Sequence, residues 1–116
     1  MNHTYLFDAN IRVLDNLNIR NDYDTDLNCI GTPIDNNVLQ AAILESRTFV
    51  AKNVIRRERN RLLLASDWVV LSDVNLANKN EWITYRQQLR DITTIHNITM
   101  DNNGNITDIT WPTPPS

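Results

Sequence analysis

Asp67 with Asp73, and Glu81 with Asp91, are the carboxylate pairs in this 116-residue chain that general acid and base catalysis could use. Each has a simpler duty as a cap or turn former, and nothing in their spacing sets either pair around a bond to be cleaved. The single cysteine, Cys29, excludes an internal disulfide. With only His3 and His96 for company, it cannot assemble a structural zinc site from those ligand types. A catalytic thiolate needs a neighbouring base, and none can be nominated. Cys29 therefore reads as a small buried or half-buried side chain. Two glycines in the whole chain leave no phosphate-cradling loop. No catalytic residue, cofactor or metal site is expected, and the chain reads as non-enzymatic.

Recognition chemistry is better supplied. Trp82, Tyr85, Leu89 and Ile92 recur at the spacing of one helix face. Asn78 can cap this helix, and Glu81, three residues on, can return a hydrogen bond to the cap and sits favourably at the positive end of the helix dipole. The opposite face carries Arg86, Gln87, Arg90 and Asp91. Because Trp, Tyr and Arg dominate interface hot spots, Trp82, Tyr85, Arg86 and Arg90 are the preferred partner contacts. The competing reading makes Trp82 and Tyr85 the core side of the helix. Arg86 and Arg90 lie on its polar face, so their loss should weaken partner binding and leave the fold intact.

The elements that must position this helix follow from the rest of the chain. Residues 66–78 form a connection opened by Asp67-Trp68, with Trp68 read as a core anchor and Leu71, Val74 and Leu76 closing the same small core. Ahead of it, Asp35 is the expected N-cap of a long helix over 35–65, uninterrupted by glycine or proline. Leu39, Ile43, Val50 and Val54 line one side, with Ala42, Phe49 and Leu62 close to that stripe. A helix of ~30 residues is ~45 Å long, more than a small domain covers, so part should meet another chain or project. Self-association through it is one option, although Ser46, Arg57 and Arg61 fall where a coiled coil needs apolar residues. The cations Lys52, Arg56, Arg57, Arg59 and Arg61 stand against Glu58, and helical spacing spreads them around the cylinder as a solvated or internally paired surface.

Residues 1–34 read as an extended N-terminal arm. Short apolar clusters at residues 5–7, 11–14 and 17–19 alternate with turn-forming Asp15-Asn16 and Asn21-Asp22. So polar a segment is expected to order only on a partner, burying Tyr5, Leu6, Phe7, Ile11, Val13 and Leu14 there. Tyr5 and Phe7 join the candidate contacts on that ground. At the other end, residues 95–100 and 106–111 flank Asn103-Gly104, the chemistry of a hairpin turn with positive backbone angles. Trp111-Pro112-Thr113-Pro114-Pro115 then cannot join a helix or a central strand and should run extended. The expected class is α+β: a long helix, a second shorter helix and a C-terminal β-hairpin in one small domain, with an extended arm over 1–34 and the helix-hairpin-tail region over 66–116.

A net charge of −3 argues against a general nucleic-acid binder, and no apolar run approaches the ~20 residues of a membrane span. The N-terminus lacks the layout of a signal peptide, so synthesis in the cytoplasm is expected.

Arg61-Leu62-Leu63, Ser66-Asp67-Trp68, Leu71, Asp73, Leu76, Trp82, Tyr85-Arg86-Gln87, Leu89-Arg90-Asp91-Ile92 and Trp111-Pro112-Thr113-Pro114-Pro115, in that order, resemble the small tail-fibre assembly chaperones of tailed phages. The resemblance covers the second half of the chain. Ser72, Asn75 and Thr93 stand where that family usually carries prolines. It implies a non-catalytic factor in the host cytoplasm that covers apolar or strand-edge surface on the C-terminal region of a tail fibre protein until its chains trimerise. Trp111-Pro112 would be a second contact beside Trp82, Tyr85, Arg86 and Arg90. The alternative is a minor structural component retained in the virion tail on a fibre or baseplate protein.

Overall fold

Helical spacing organises the N-terminus. Leu6, Ala9, Val13, Leu14 and Leu17 recur at steps of three, four, one and three, and in the computed structural model they lie on helix α1, His3–Leu17. The structure describes residues 3–71, 75–95, 97–107 and 109–115; Asp73, Val74 and His96 lie outside them. Order in the chain is α1, α2 (Asn36–Ala65), a 3-10 turn (Asp67–Val70), α3 (Lys79–Ile95), β1 (Thr99–Met100) and β2 (Ile106–Thr107). This is the expected α+β arrangement of a long helix, a shorter helix and a hairpin. Two compact units divide it: residues 1–53 with 98–107, and residues 54–97 with 108–116.

In the first unit the extended arm expected over residues 1–34 is corrected to a helix and a folded loop. Ala9, Val13 and Leu14 are buried, and Val13 and Leu14 share a core cluster with Ile19, Tyr23 and Leu39. Asn18 ends α1 at φ 55°, with Ile19 N–H donating to Leu14 O (3.0 Å) and Asn18 N–H to Asp15 O (3.3 Å). These are the two bonds of a Schellman cap, and the burial of both Leu14 and Ile19 supplies its hydrophobic contact. Reading the apolar clusters as separate short strands missed the single stripe that joins them. The isolated chain should accordingly show slow amide exchange through residues 9–17 without any partner, measured by hydrogen–deuterium exchange. Rates typical of an unfolded chain there would return the segment to the status of an arm.

The loop from Ile19 to Asp35 is held by its own polar groups. Buried Asn10 donates from Nδ2 to Thr25 O (3.0 Å), and the Ile34 N–H donates to Tyr23 Oη (3.1 Å). Asp22 O accepts from Ile30 and Gly31, and its Oδ1 accepts from Thr32 N–H. A Cβ at Gly31 would stand 2.6 Å from Asp22 Oδ1 and 3.1 and 3.2 Å from backbone atoms of Asp22 and Asn21, a close approach that suits glycine. Cys29 pairs with Tyr23 in an isolated bridge and is exposed, which corrects the expectation that it would be buried or half-buried.

Asp35 begins α2 as expected, its Oδ1 accepting from Asn37 N–H (2.8 Å) and Val38 N–H (3.2 Å). Of the expected stripe Leu39 is buried, Ile43, Val50 and Val54 are half-buried, and the residues most shielded are the small ones, Ser46 and Ala51. Phe49 is about half exposed, and Arg12 of α1 sets its guanidinium 3.8 Å over the ring while pairing with Glu45 at 3.5 Å.

The hairpin β1–β2 is antiparallel with Met100 opposite Ile106, shorter than the strands expected over 95–100 and 106–111. Its turn also differs: Gly104 takes φ 80° and Asn103 stays at negative φ. Asp101 closes it by accepting at Oδ1 from Asn103 N–H (2.9 Å) and Asn105 N–H (3.0 Å), while Gly104 N–H donates to Asp101 O (3.0 Å). A three-residue loop with one left-handed glycine results. Residues 24–28 repeat it: Asp24 Oδ1 accepts from Asp26 and Asn28, Leu27 N–H donates to Asp24 O, and Leu27 takes φ 65°.

The backbone N–H groups of Asn105 and Asn103 hold the Asp101 carboxyl below its ordinary value of 3.8. A lowered folded-state value means stability present above the unfolded value and lost as pH falls through the lowered one. The Asn103 and Asn105 amide resonances should therefore shift together below about pH 4, and Asp101→Asn should remove that titration.

Candidate functional site

The second unit is built on the end of α2, the 3-10 turn and α3. The Glu81 and Trp82 N–H groups donate to Asn78 O at 3.1 and 3.3 Å, which starts α3 where the sequence marks it. Its apolar side is the expected one, with Tyr85, Leu89 and Ile92 all buried. Tyr85 is 4 % exposed, so its ring belongs to the core of this unit. Trp82 is half-buried and meets Tyr85 edge-on at 5.8 Å between centroids.

Trp68 is the residue the sequence reading misplaced. It was expected inside, yet is 45 % exposed, and Val69 takes the buried position of the turn. Side chains of a 3-10 turn stand about 120° apart, so one residue in three can face a core. Val69 occupies that direction, and Trp68 and Val70 point outward. Trp68 packs edge-to-face on Trp82 with centroids 5.7 Å apart. Leu71, expected to close the core, is exposed as well, as are Val70 and Ile83. The unit thus presents Trp68, Val70, Leu71 and Ile83 to solvent beside the half-buried Trp82. No period in the sequence announces this, because exposure is decided by which residue of one short turn faces inward.

Arg86 has a different place from the one expected on the polar face. Its side chain is 11 % exposed. Nη1 donates to Leu63 O and Ser66 Oγ, both at 2.7 Å, and Nη2 to Asp67 Oδ1 at 2.8 Å. A cation is thereby set on a carbonyl at the C-terminal end of α2, where the helix dipole favours it. Buried Ser66 completes the joint by donating from Oγ to Leu62 O at 3.0 Å. Arg86 holds α3 to the end of α2, which corrects the expectation that its loss would leave the fold intact. Arg90 is exposed, with Nη2 donating to Gln87 Oε1 at 2.8 Å.

Of the remaining expected contacts, Trp111 and Pro112 are half-buried in this same unit. Pro112 and Pro115 are half-buried while Thr113 and Pro114 are exposed, a spacing of three that suits one edge of a polyproline II segment. In the first unit Tyr5 is half-buried and Phe7 exposed. The structure therefore brings Trp68 and Trp82 together on one face and takes Tyr85 and Arg86 out of solvent. In the basic run, Arg61 pairs with Glu58 three residues away, and their hydrogen bond lowers the Glu58 carboxyl and raises Arg61. Arg59 donates to Asn60 Oδ1 at 3.1 Å. Among the described residues no group of three or more His, Cys, Asp or Glu could hold a metal ion, and no helix is long and apolar enough to cross a membrane.

A family model described as phage tail assembly chaperone protein matches residues 52–116, more than half of the chain and all of the surface just described. No curated protein and no solved structure matches the chain.

Proposed function

The chain belongs to the phage tail assembly chaperone protein family, and from that premise we propose that it binds a tail fibre protein, through that protein's C-terminal region, and assists its folding or trimerisation. The observation that carries this reading is the exposure of large apolar side chains in the second unit: Trp68 is 45 % exposed and in edge contact with Trp82, and Val70, Leu71 and Ile83 are exposed as well. An exposed pair of indoles suits an interface centre, where rigid aromatics contribute large contact area at small entropic cost. Exposed Arg90 supplies a polar rim. The role asks for non-covalent cover of apolar or strand-edge surface and uses no bond-making group. It acts in the host cytoplasm during assembly.

Co-expression with a tail fibre gene tests the proposal. The fibre protein is expected to be captured with the chain and to gain soluble trimer. Fibre that is equally soluble and trimeric without it, and not captured, would remove the chaperone reading. Mass spectrometry of mature particles decides between transient binding and retention as a tail component, since a retained subunit is found in a fixed ratio to the fibre.

A further inference from the structure

The first unit contains a cavity of about 350 Å³ that plays no part in the surface described above. Its walls are Leu6 and Asn10 of α1, Asp26 and Leu27 of the Asp24–Asn28 loop, Gln40, Ile43 and Arg47 of α2, and Asn102 of the hairpin turn. Only Asn102 falls within the segment matched by the family. The volume is at the small end of ligand pockets, which run from about 300 to 1,000 Å³, and suits one or two residues of a peptide.

The wall chemistry is specific. Leu6, Leu27 and Ile43 give three aliphatic contacts, and Asn10, Gln40 and Asn102 give three carboxamides. The guanidinium of Arg47 donates from Nη1 to Asn102 Oδ1 at 2.9 Å, while its Nε, shielded from water, has no partner. Nε is out of reach, and the N–H groups on Nη1 and Nη2 that Asn102 does not take are the donors an anion in the cavity would meet. Asn10 is 7 % exposed and its Nδ2 is committed to Thr25 O, so it is a rigid wall group with its orientation set by the loop. Asp26 brings the opposite charge to the same cavity. A cation and an anion over an aliphatic floor complement a ligand that carries a carboxylate, an N–H donor and an apolar stem together.

We propose that this cavity binds the C-terminal residue of a peptide, with its carboxylate on Arg47, its backbone N–H toward Asp26 and its aliphatic side chain against Leu6, Leu27 and Ile43. Planar carboxylate is the group that a guanidinium fork takes best. The amide side chains then border the last peptide unit.

The probe is acetyl-Gly-Leu with a free carboxylate, compared with acetyl-Gly-Leu-amide, titrated into the full-length ¹⁵N-labelled chain. The acid is expected to shift the backbone amides of Leu27, Ile43, Arg47 and Asn102 in a saturable way, and the amide analogue to bind at least tenfold more weakly. Arg47→Gln should reduce acid binding at least tenfold, and Trp68→Ala should leave it unchanged. The comparison of the two peptides needs no variant, so it stands even if Arg47→Gln fails to fold. No saturable shift with the acid at millimolar concentration, or equal shifts with acid and amide, overturns the assignment. Because the probe contains no fibre sequence and reads a different unit, either outcome is separate from success or failure of fibre capture.

Discussion

Arg86→Ala is expected to lower the stability of the chain by about 2–4 kcal/mol, and with it the melting temperature by roughly 10 °C or more. The side chain supplies three short bonds to groups on two other elements; without it Leu63 O keeps the Ser66 N–H and Oγ, while buried Ser66 Oγ loses the donor it accepts from. Hydrogen bonds involving a charged group contribute about 1.5–3 kcal/mol each way, and an acceptor left buried without a donor adds its desolvation cost. Asp67→Ala tests which bond matters. Asp67 is 56 % exposed on its side chain, so its pair with Arg86 is screened by water and should contribute about 0.2–1 kcal/mol. Arg86→Lys should recover only part of the loss, since one ammonium cannot span three acceptors laid out for a planar fork. Thermal and urea melts of the three variants measure this directly. A melt unchanged by Arg86→Ala would mean that α3 is held to the end of α2 by its apolar side alone.

Trp68→Ala is expected to separate binding from folding. The indole is nearly half exposed and has one aromatic neighbour, so its removal should cost the fold about 1–2 kcal/mol, well short of the 3–5 kcal/mol of a fully buried aromatic. At the centre of an interface the same truncation typically costs 2 kcal/mol or more, a loss of affinity of roughly thirtyfold. Calorimetry of fibre binding beside a thermal melt reads both numbers on one sample. A variant that captures fibre as well as the parent would move the contact away from this face. One that unfolds would return Trp68 to the core.

The contrast between Arg86 and Trp68 marks where one-dimensional reasoning stops. Both were assigned from their types and from the helical pattern around them, and the structure exchanges their roles, putting the cation inside and the indole out. An arginine on the polar side of a helix is solvated only if no neighbouring element ends beside it. Here α2 ends at Ala65, and the chain turns so that Arg86 meets the Leu63 carbonyl in its last turn.

By itself the sequence determined whatever depends on residues within a turn or two of one another. The Asp35 cap, the extent of α2, the start and buried side of α3 and the site of the hairpin were all legible, because caps, helical periodicity and glycine turns act over a few residues. So was a tail assembly chaperone family, because the motifs that suggested it are linear and lie within the matched residues 52–116. The helical stripe of residues 3–17 was written in the sequence too, though read as short strands; tertiary structure decided that it is buried within the chain, beside Ile19, Tyr23 and Leu39, and needs no partner. It alone decided that Val69 and not Trp68 enters the core, and that a cavity opens among residues as distant in the chain as Leu6 and Asn102. Burial is a property of what the rest of the chain brings alongside a residue, and that information is not carried by the residue's type or by its near neighbours.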